Sequence, residues 1–330
     1  MHVLRSTLLG VVTTSALSAQ NPTAPAAIIG GEENRGAELG TIQHVLVLPS
    51  RLVVIDGSAP FYRVFDHTGR LVQSFGQAGS GPGEYRAVDA IAYDSASREV
   101  WVYDRRLARL TRFAAGDTLR PIASHQSSVT SVSALCAMNG RFYALSAHGG
   151  RFVHELAVQE NRIESRRSYG EPKTARDVAA NPGLRNNSAN GALYCDAPRE
   201  VVYAGATLYG EIHRVDLQTG THTFTPIPAF VGMEFRPNGD AVMMSMPARG
   251  WVDRIVDLRM ARGGVEVVLA ASPAGPGRSP FSLLTLTSAG AASARVAYAW
   301  RPLGRAGGRV VCSTDDPAPT IAFFALERCP

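Results

Sequence analysis

The feature that most constrains this chain is internal repetition. Val53-Val-Ile-Asp56 recurs as Trp101-Val-Tyr-Asp104 at an offset of 48 residues, and Arg63-Val-Phe recurs as Arg112-Phe-Ala at 49. The Arg63 pattern returns as Arg214-Val-Asp at 151, close to three periods, with Gly220 following Arg214 as Gly69 follows Arg63. Gly81-Pro82-Gly83 returns as Gly275-Pro276-Gly277, near four periods, with Val102 and Val296 each 21 residues beyond the first glycine. Fixed-period self-similarity of 40 to 60 residues marks a unit that cannot bury its own faces and must stack on copies of itself.

Each unit is made of strands. Arg51–Asp56, Tyr62–Asp66 and Leu71–Phe75 are alternating or β-branched runs closed by Gly57, Gly69 and Gly76, a three-strand meander in 25 residues. Thirty-two glycines and 20 prolines suit short strands joined by tight turns and argue against a helix bundle. Lys173 to Ala180 is the one weak helical candidate. A four-stranded unit at this period is a propeller blade. Division of the chain predicts blades near residues 42–76, 87–124, 131–169, 190–228, 229–271 and 281–326, with each first strand lining a central channel. The expected fold is therefore all-β: a six-bladed β-propeller of four-stranded antiparallel blades spanning 41–330.

Phe75-Gly-Gln-Ala-Gly-Ser-Gly-Pro-Gly-Glu-Tyr85, followed by Trp101-Val-Tyr-Asp104 and an Arg-bearing third strand, resembles the blade signature of NHL-type and related bacterial six-bladed β-propellers. The resemblance is good over Ile42 to Pro121 and degenerate beyond; blades three to five lack the Gly-Pro-Gly-Glu loop, and Arg278 stands where the motif has an acid. It implies a ring that mostly serves as a binding scaffold, with lactonases and lyases a minority on similar rings, so no activity transfers with the fold.

Catalytic signatures are scarce. No Gly-x-Ser-x-Gly elbow is present, and Lys173, the only lysine, does not end a phosphate-binding loop. Gly79-Ser-Gly-Pro-Gly83 lacks dinucleotide-loop spacing and reads as an inter-blade turn with positive-φ glycines. His148 and His154 share one hairpin and His213 and His222 another without ligand-pair spacing, which predicts surface or turn histidines and no metal centre. The resemblance leaves calcium in the channel as a minor alternative, to which Glu33, Asn186, Asn187, Asn190, Asn238 and Asp240 could contribute only by forced alignment. Asp56 and Asp104 close equivalent second strands and could be ligands at the channel mouth or acceptors of backbone N–H groups in turns; the turn role is the expected one. The stretch Gly170 to Asn190 is the longest connection, and a ligand is placed beside it, with Asn186, Asn187 and Asn190 as weak candidates.

The net charge of +5 comes from scattered arginines with no basic run, which excludes a nucleic-acid stripe. Arg5, the apolar Leu8–Leu17 and the small Ser18-Ala19 read as a signal peptide over 1–19, too short to span a bilayer. Residues 20–40, rich in Pro, Ala, Gly and Glu, read as a flexible leader. Export predicts a periplasmic or secreted monomer with paired cysteines. Four cysteines allow three connectivities. Cys312 and Cys329 flank the final hairpin, and Cys136 and Cys195 occupy comparable innermost strands of neighbouring blades, which favours these two pairs. The expected function is binding of a protein, peptide or glycan; the alternative is a lactonase- or lyase-like enzyme with an unrecognised channel site.

Overall fold

The computed structural model describes residues 24–31, 38–171, 184, 187–238, 241–273, 280–287, 291–315 and 318–330. The signal segment 1–19, the Lys173–Ala180 candidate, Glu33, Asn186, Asp240 and the motif at 275–278 lie outside the described residues.

Six four-stranded antiparallel blades succeed one another around a ring, and the outer strands of the second and third join in parallel at Gln126–Ser127 and Arg162–Ile163 to make one eight-stranded sheet. Blade 1 is Ile42–Val47, Arg51–Asp56, Tyr62–Asp66 and Leu71–Phe75, and blade 2 is Val88–Asp94, Glu99–Asp104, Arg109–Ala115 and Leu119–Ser127. Blade 3 is Ala134–Met138, Arg141–Leu145, Val153–Gln159 and Arg162–Tyr169, and blade 4 is Gly191–Asp196, Val201–Ala206, Glu211–Asp216 and His222–Pro226. Blade 5 is Val252–Ala261, Gly264–Ser272, Phe281–Leu286 and Val296–Tyr298. Blade 6 takes Arg301–Ala306, Arg309–Thr314 and Thr320–Phe324 from the C-terminus and its outer strand, Ala27–Gly30, from the N-terminus.

Two expectations change here. Residues 20–40 are not a leader throughout, because Ala27–Gly30 pairs antiparallel with Thr320–Phe324 and buries Ile29 completely. Blades 5 and 6 also divide elsewhere than at 229–271 and 281–326. A separate hairpin, Glu234–Asn238 with Ala241–Ser245, stands between blades 4 and 5, and Phe281–Leu286 is the third strand of blade 5. Val296 therefore lies in a fourth strand, whereas Val102 lies in a second strand, so the two valines are not equivalent in the ring.

The core consists of six apolar clusters, one at each blade junction. Representative members are Val53, Tyr62 and Val100 between blades 1 and 2, and Tyr103, Leu110 and Phe142 between blades 2 and 3. Tyr143, Phe152 and Val202 join blades 3 and 4, and Ile212, Ile255 and Leu269 join blades 4 and 5. Tyr298, Cys312 and Phe324 join blades 5 and 6, and Ile29, Phe65 and Phe323 close the ring between blades 6 and 1. Second strands touch a neighbouring blade on both faces, so Val53-Val-Ile and Val100-Trp-Val-Tyr are continuous apolar runs without period-2 alternation. First strands lie against one another from blade 6 through blades 1, 2, 3 and 4 to blade 5, as expected for strands that line a channel.

Candidate functional site

In each blade the second strand ends at the face where the first strand begins, so the entry segments and the loops between second and third strands share one end of the ring. Asp56 and Asp104 sit there, and both are engaged. Asp56, 1% exposed, accepts hydrogen bonds from the backbone N–H groups of Gly40 at 2.8 Å, Thr41 at 3.1 Å and Ser58 at 3.1 Å, and pairs with Arg63 at 3.4 Å. Asp104 accepts from the N–H groups of Arg86 at 2.6 Å, Ala87 at 3.2 Å and Leu107 at 3.0 Å. Each carboxylate ties the segment entering its blade to the end of that blade's second strand. The Gly79-Ser-Gly-Pro-Gly83 turn is held similarly. Glu84 accepts from the N–H groups of Ser80 at 2.9 Å and Gly81 at 2.8 Å, and Arg109 donates to the carbonyls of Ser80, Gly81 and Glu84. Gly83 has φ +76°, and a Cβ on Gly79 would collide with the Glu84 carboxylate.

Asn187 and Asn190 are exposed at the same end, at the entry to blade 4, where Asn190 Nδ2 donates to Asn187 Oδ1 at 3.1 Å. Asn238 ends a strand of the inserted hairpin. Among the described residues, no hydrogen bond or ion pair joins Asn187 or Asn190 to Asp56 or Asp104.

The expectation of surface histidines is corrected at three positions, the first being His125, buried in the fourth strand of blade 2. His154 is buried; its Nε2–H donates to the Ser146 carbonyl at 3.3 Å, so Nδ1 is the acceptor facing the hydroxyls of Ser168 at 3.0 Å and Ser165 at 3.3 Å. Burial pushes its pKa down to about 4. His213, also buried, shares a 2.8 Å Nδ1···Nε2 hydrogen bond with His222 and lies 3.6 Å from Glu211.

Sequence reasoning missed a charged arc along the channel. The first strands of blades 1, 2, 5 and 6 each carry a register shift, between Ile42 and His44, Val88 and Ala90, Ile255 and Asp257, and Pro302 and Gly304. Those of blades 3 and 4 pair in uninterrupted register. A bulge admits one extra residue and re-aims its neighbours. In blade 2 that residue is Asp89, paired with Arg105 through Oδ1 at 3.2 Å, while its Oδ2 is enclosed with no hydrogen-bond partner. In blade 5 it is Val256, whose carbonyl accepts from Arg301 Nη2 at 2.9 Å; Arg301 Nε is likewise enclosed and unpartnered.

His44, Asp257 and Arg301 keep partial access to water, as side chains lining a hollow do, yet burial dominates their titration. It pushes His44 down to about 4, assisted by the Arg301 charge and opposed by a hydrogen bond to the Asp89 backbone. It raises Asp89 against the pull of Arg105 and raises Asp257 against that of Arg301. Arg301 is lowered by burial, with Asp257 and Asp315 opposing. The opposite wall of the channel is stapled: the Cys136–Cys195 disulfide joins the first strands of blades 3 and 4 with Cα atoms 5.6 Å apart. The signal available in the sequence was a charged or imidazole side chain interrupting a first-strand apolar run, as His44 does in Ile42–Val47 and Asp89 in Val88–Asp94.

Beside this arc stands the inserted hairpin. It follows the fourth strand of blade 4 and precedes the first strand of blade 5, which places it at the same end of the ring. Tyr209 stacks on Phe235, and Val231 N–H donates to Asp253 at 2.9 Å. Met243 and Met246 are 53% and 44% exposed.

Residues 32–164 match the profile of a family described as a 6-bladed beta-propeller. The fold is that of a six-bladed β-propeller. The match supports this ring in general and not the NHL type in particular. Among solved structures, the chain is similar to a putative exported protein from Bacteroides fragilis at 12% identity and a TM-score of 0.55, covering 92% of this chain and 95% of that one. It is also similar to a member of another family from Bacteroides vulgatus at 8% identity and a TM-score of 0.54, covering 90% and 95%. U3-55K aligns at 13% identity with a TM-score of 0.57, covering 92% and 100%. At such identities the likeness is one of fold. A search of curated proteins found no match. No helix among the described residues is long and apolar enough to cross a membrane, and no group of three or more His, Cys, Asp or Glu among them is placed to hold a metal ion.

Proposed function

We propose that this propeller is an exported, monomeric binding scaffold whose ligand, a protein, peptide or glycan, is taken at the end of the ring that carries the charged channel mouth and the inserted hairpin. The observation that carries this reading is the hairpin itself. The six junction clusters close the ring without it, so its exposed Met243 and Met246 are surplus to folding, and flexible thioether side chains suit adaptable contact surfaces. Asn187 and Asn190 lie at the same end. Export is supported by two disulfides and by the likeness to a protein named as exported.

Screening the purified chain against peptide and glycan arrays tests the proposal. Saturable binding that is lost in Met243→Glu/Met246→Glu with unchanged melting supports it. Binding that the double variant retains places the ligand elsewhere and overturns it. The second reading, an enzyme, is favoured by one observation: the enclosed, unpartnered Asp89 Oδ2 and Arg301 Nε in the arc around His44. Stoichiometric calcium in the purified protein, or turnover of lactone or ester substrates abolished by Asp89→Asn, would establish that reading instead.

A further inference from the structure

At the opposite end of the ring, blades 5 and 6 part. The fourth strand of blade 5 is three residues long and pairs with Phe281–Leu283, and the rest of the third strand is met by Ala291–Ser293, through a Leu286–Ala292 bridge and the Ser293 N–H donating to the Thr285 carbonyl at 2.8 Å. A cleft of about 680 Å³ lies between the two blades. This lies within the roughly 300–1,000 Å³ range of small-molecule sites. Its apolar wall includes Leu283, Tyr298 and Val310, and Val296 is 42% exposed, a large aliphatic surface left in water.

The polar lining is unequal in charge: Arg259, Arg305 and Arg328 against Glu266 and Glu327. Arg259 is held by Glu266 at 2.9 Å, and Arg305 reaches the Glu327 carbonyl at 2.8 Å with one nitrogen. Arg328 makes no ion pair among the described residues, so the cleft retains an uncompensated guanidinium beside an apolar wall. A ligand matching this surface carries an apolar body and an anionic head.

We propose that the cleft between blades 5 and 6 binds a small amphipathic anion, an aromatic or aliphatic body ending in a carboxylate or sulfonate, at a site separate from the channel mouth. The probe is 8-anilinonaphthalene-1-sulfonate, titrated into the disulfide-intact protein with near-UV circular dichroism recorded in parallel. Saturable binding at one site per chain is expected. Arg305→Glu/Arg328→Glu should weaken it tenfold or more, while the uncharged N-phenyl-1-naphthylamine changes less than twofold; Val296→Asp should weaken both probes. Met243→Glu/Met246→Glu should leave both unaffected. Absence of saturable binding to the folded chain would overturn the proposal, and so would sulfonate affinity within twofold of wild type in both cleft variants when their near-UV spectra are unchanged.

Discussion

Asp56 and Asp104 do their work by accepting hydrogen bonds that the entering strand cannot otherwise make. Asp56→Ala strands the N–H groups of Gly40, Thr41 and Ser58 and leaves Arg63 without its carboxylate. Loss of one partner from a buried, charged network costs about 3 kcal/mol, measurable as a lower urea midpoint at unchanged slope. A loss under ~1 kcal/mol would show that neighbouring groups take over the bonds. His154 makes a pH-dependent counterpart. Its folded pKa of about 4 lies below the unfolded value near 6.5, so the unfolded chain binds the proton first. The stability tied to the neutral ring is fully present above pH 6.5 and is lost as pH falls through 4, on the order of 3 kcal/mol in all. An imidazole resonance of His154 that titrates near 6.5 in the folded protein would contradict this.

At the scale of elements, the hairpin Glu234–Asn238/Ala241–Ser245 should be separable from the ring. Replacing residues 234–245 with a short Gly/Ser linker should leave the melting temperature within about 3 °C, since the change removes no member of the six junction clusters. A larger fall would mean that the Tyr209–Phe235 stack supports blade 4. The same hairpin explains where sequence reading failed. Blades 1 to 4 were legible because a buried second strand is a continuous apolar run, followed in blades 1, 2 and 4 by a third strand bearing Arg63, Arg112 or Arg214. Glu234–Ser245 has the strand–turn–strand pattern of a blade opening without a blade to follow, so the period slipped and Phe281–Leu286 was assigned to blade 6. The charged arc was legible only as polar side chains interrupting first strands, not as an arrangement, for a different reason. A bulge is a property of pairing between strands, and nothing local to Val88–Asp94 announces that Asp89 is the unpaired residue. The cysteine pairs were readable because blade order alone brings Cys136 beside Cys195 and a hairpin brings Cys312 beside Cys329.

For the whole molecule, stability is a question of closure. The Cys312–Cys329 bond closes 17 residues and Cys136–Cys195 closes 59, for which loop entropy gives about 3 and about 4 kcal/mol as upper values. Neither bond joins the two ends of the ring. That junction is made by Ala27–Gly30, whose four residues pair with Thr320–Phe323 and bury Ile29 against Phe65 and Phe323. A chain beginning at Pro25 should therefore melt as the longer one does, because it keeps the closing strand. A chain beginning at Glu38 loses the Ile29 contacts, worth about 2–5 kcal/mol for a buried aliphatic side chain, and exposes Thr-Ile-Ala-Phe-Phe as a bare apolar edge. Unprotected edges of that composition recruit other chains. The shorter chain should melt about 10 °C lower or more and form oligomers in size-exclusion chromatography with light scattering. Deletion of Thr320 to Pro330 should go further, since it removes the strand that the N-terminus pairs with and the partner of Cys312 together. A chain starting at Glu38 that remained monomeric with unchanged melting would show that blades 1 and 6 hold the ring closed without their shared strand.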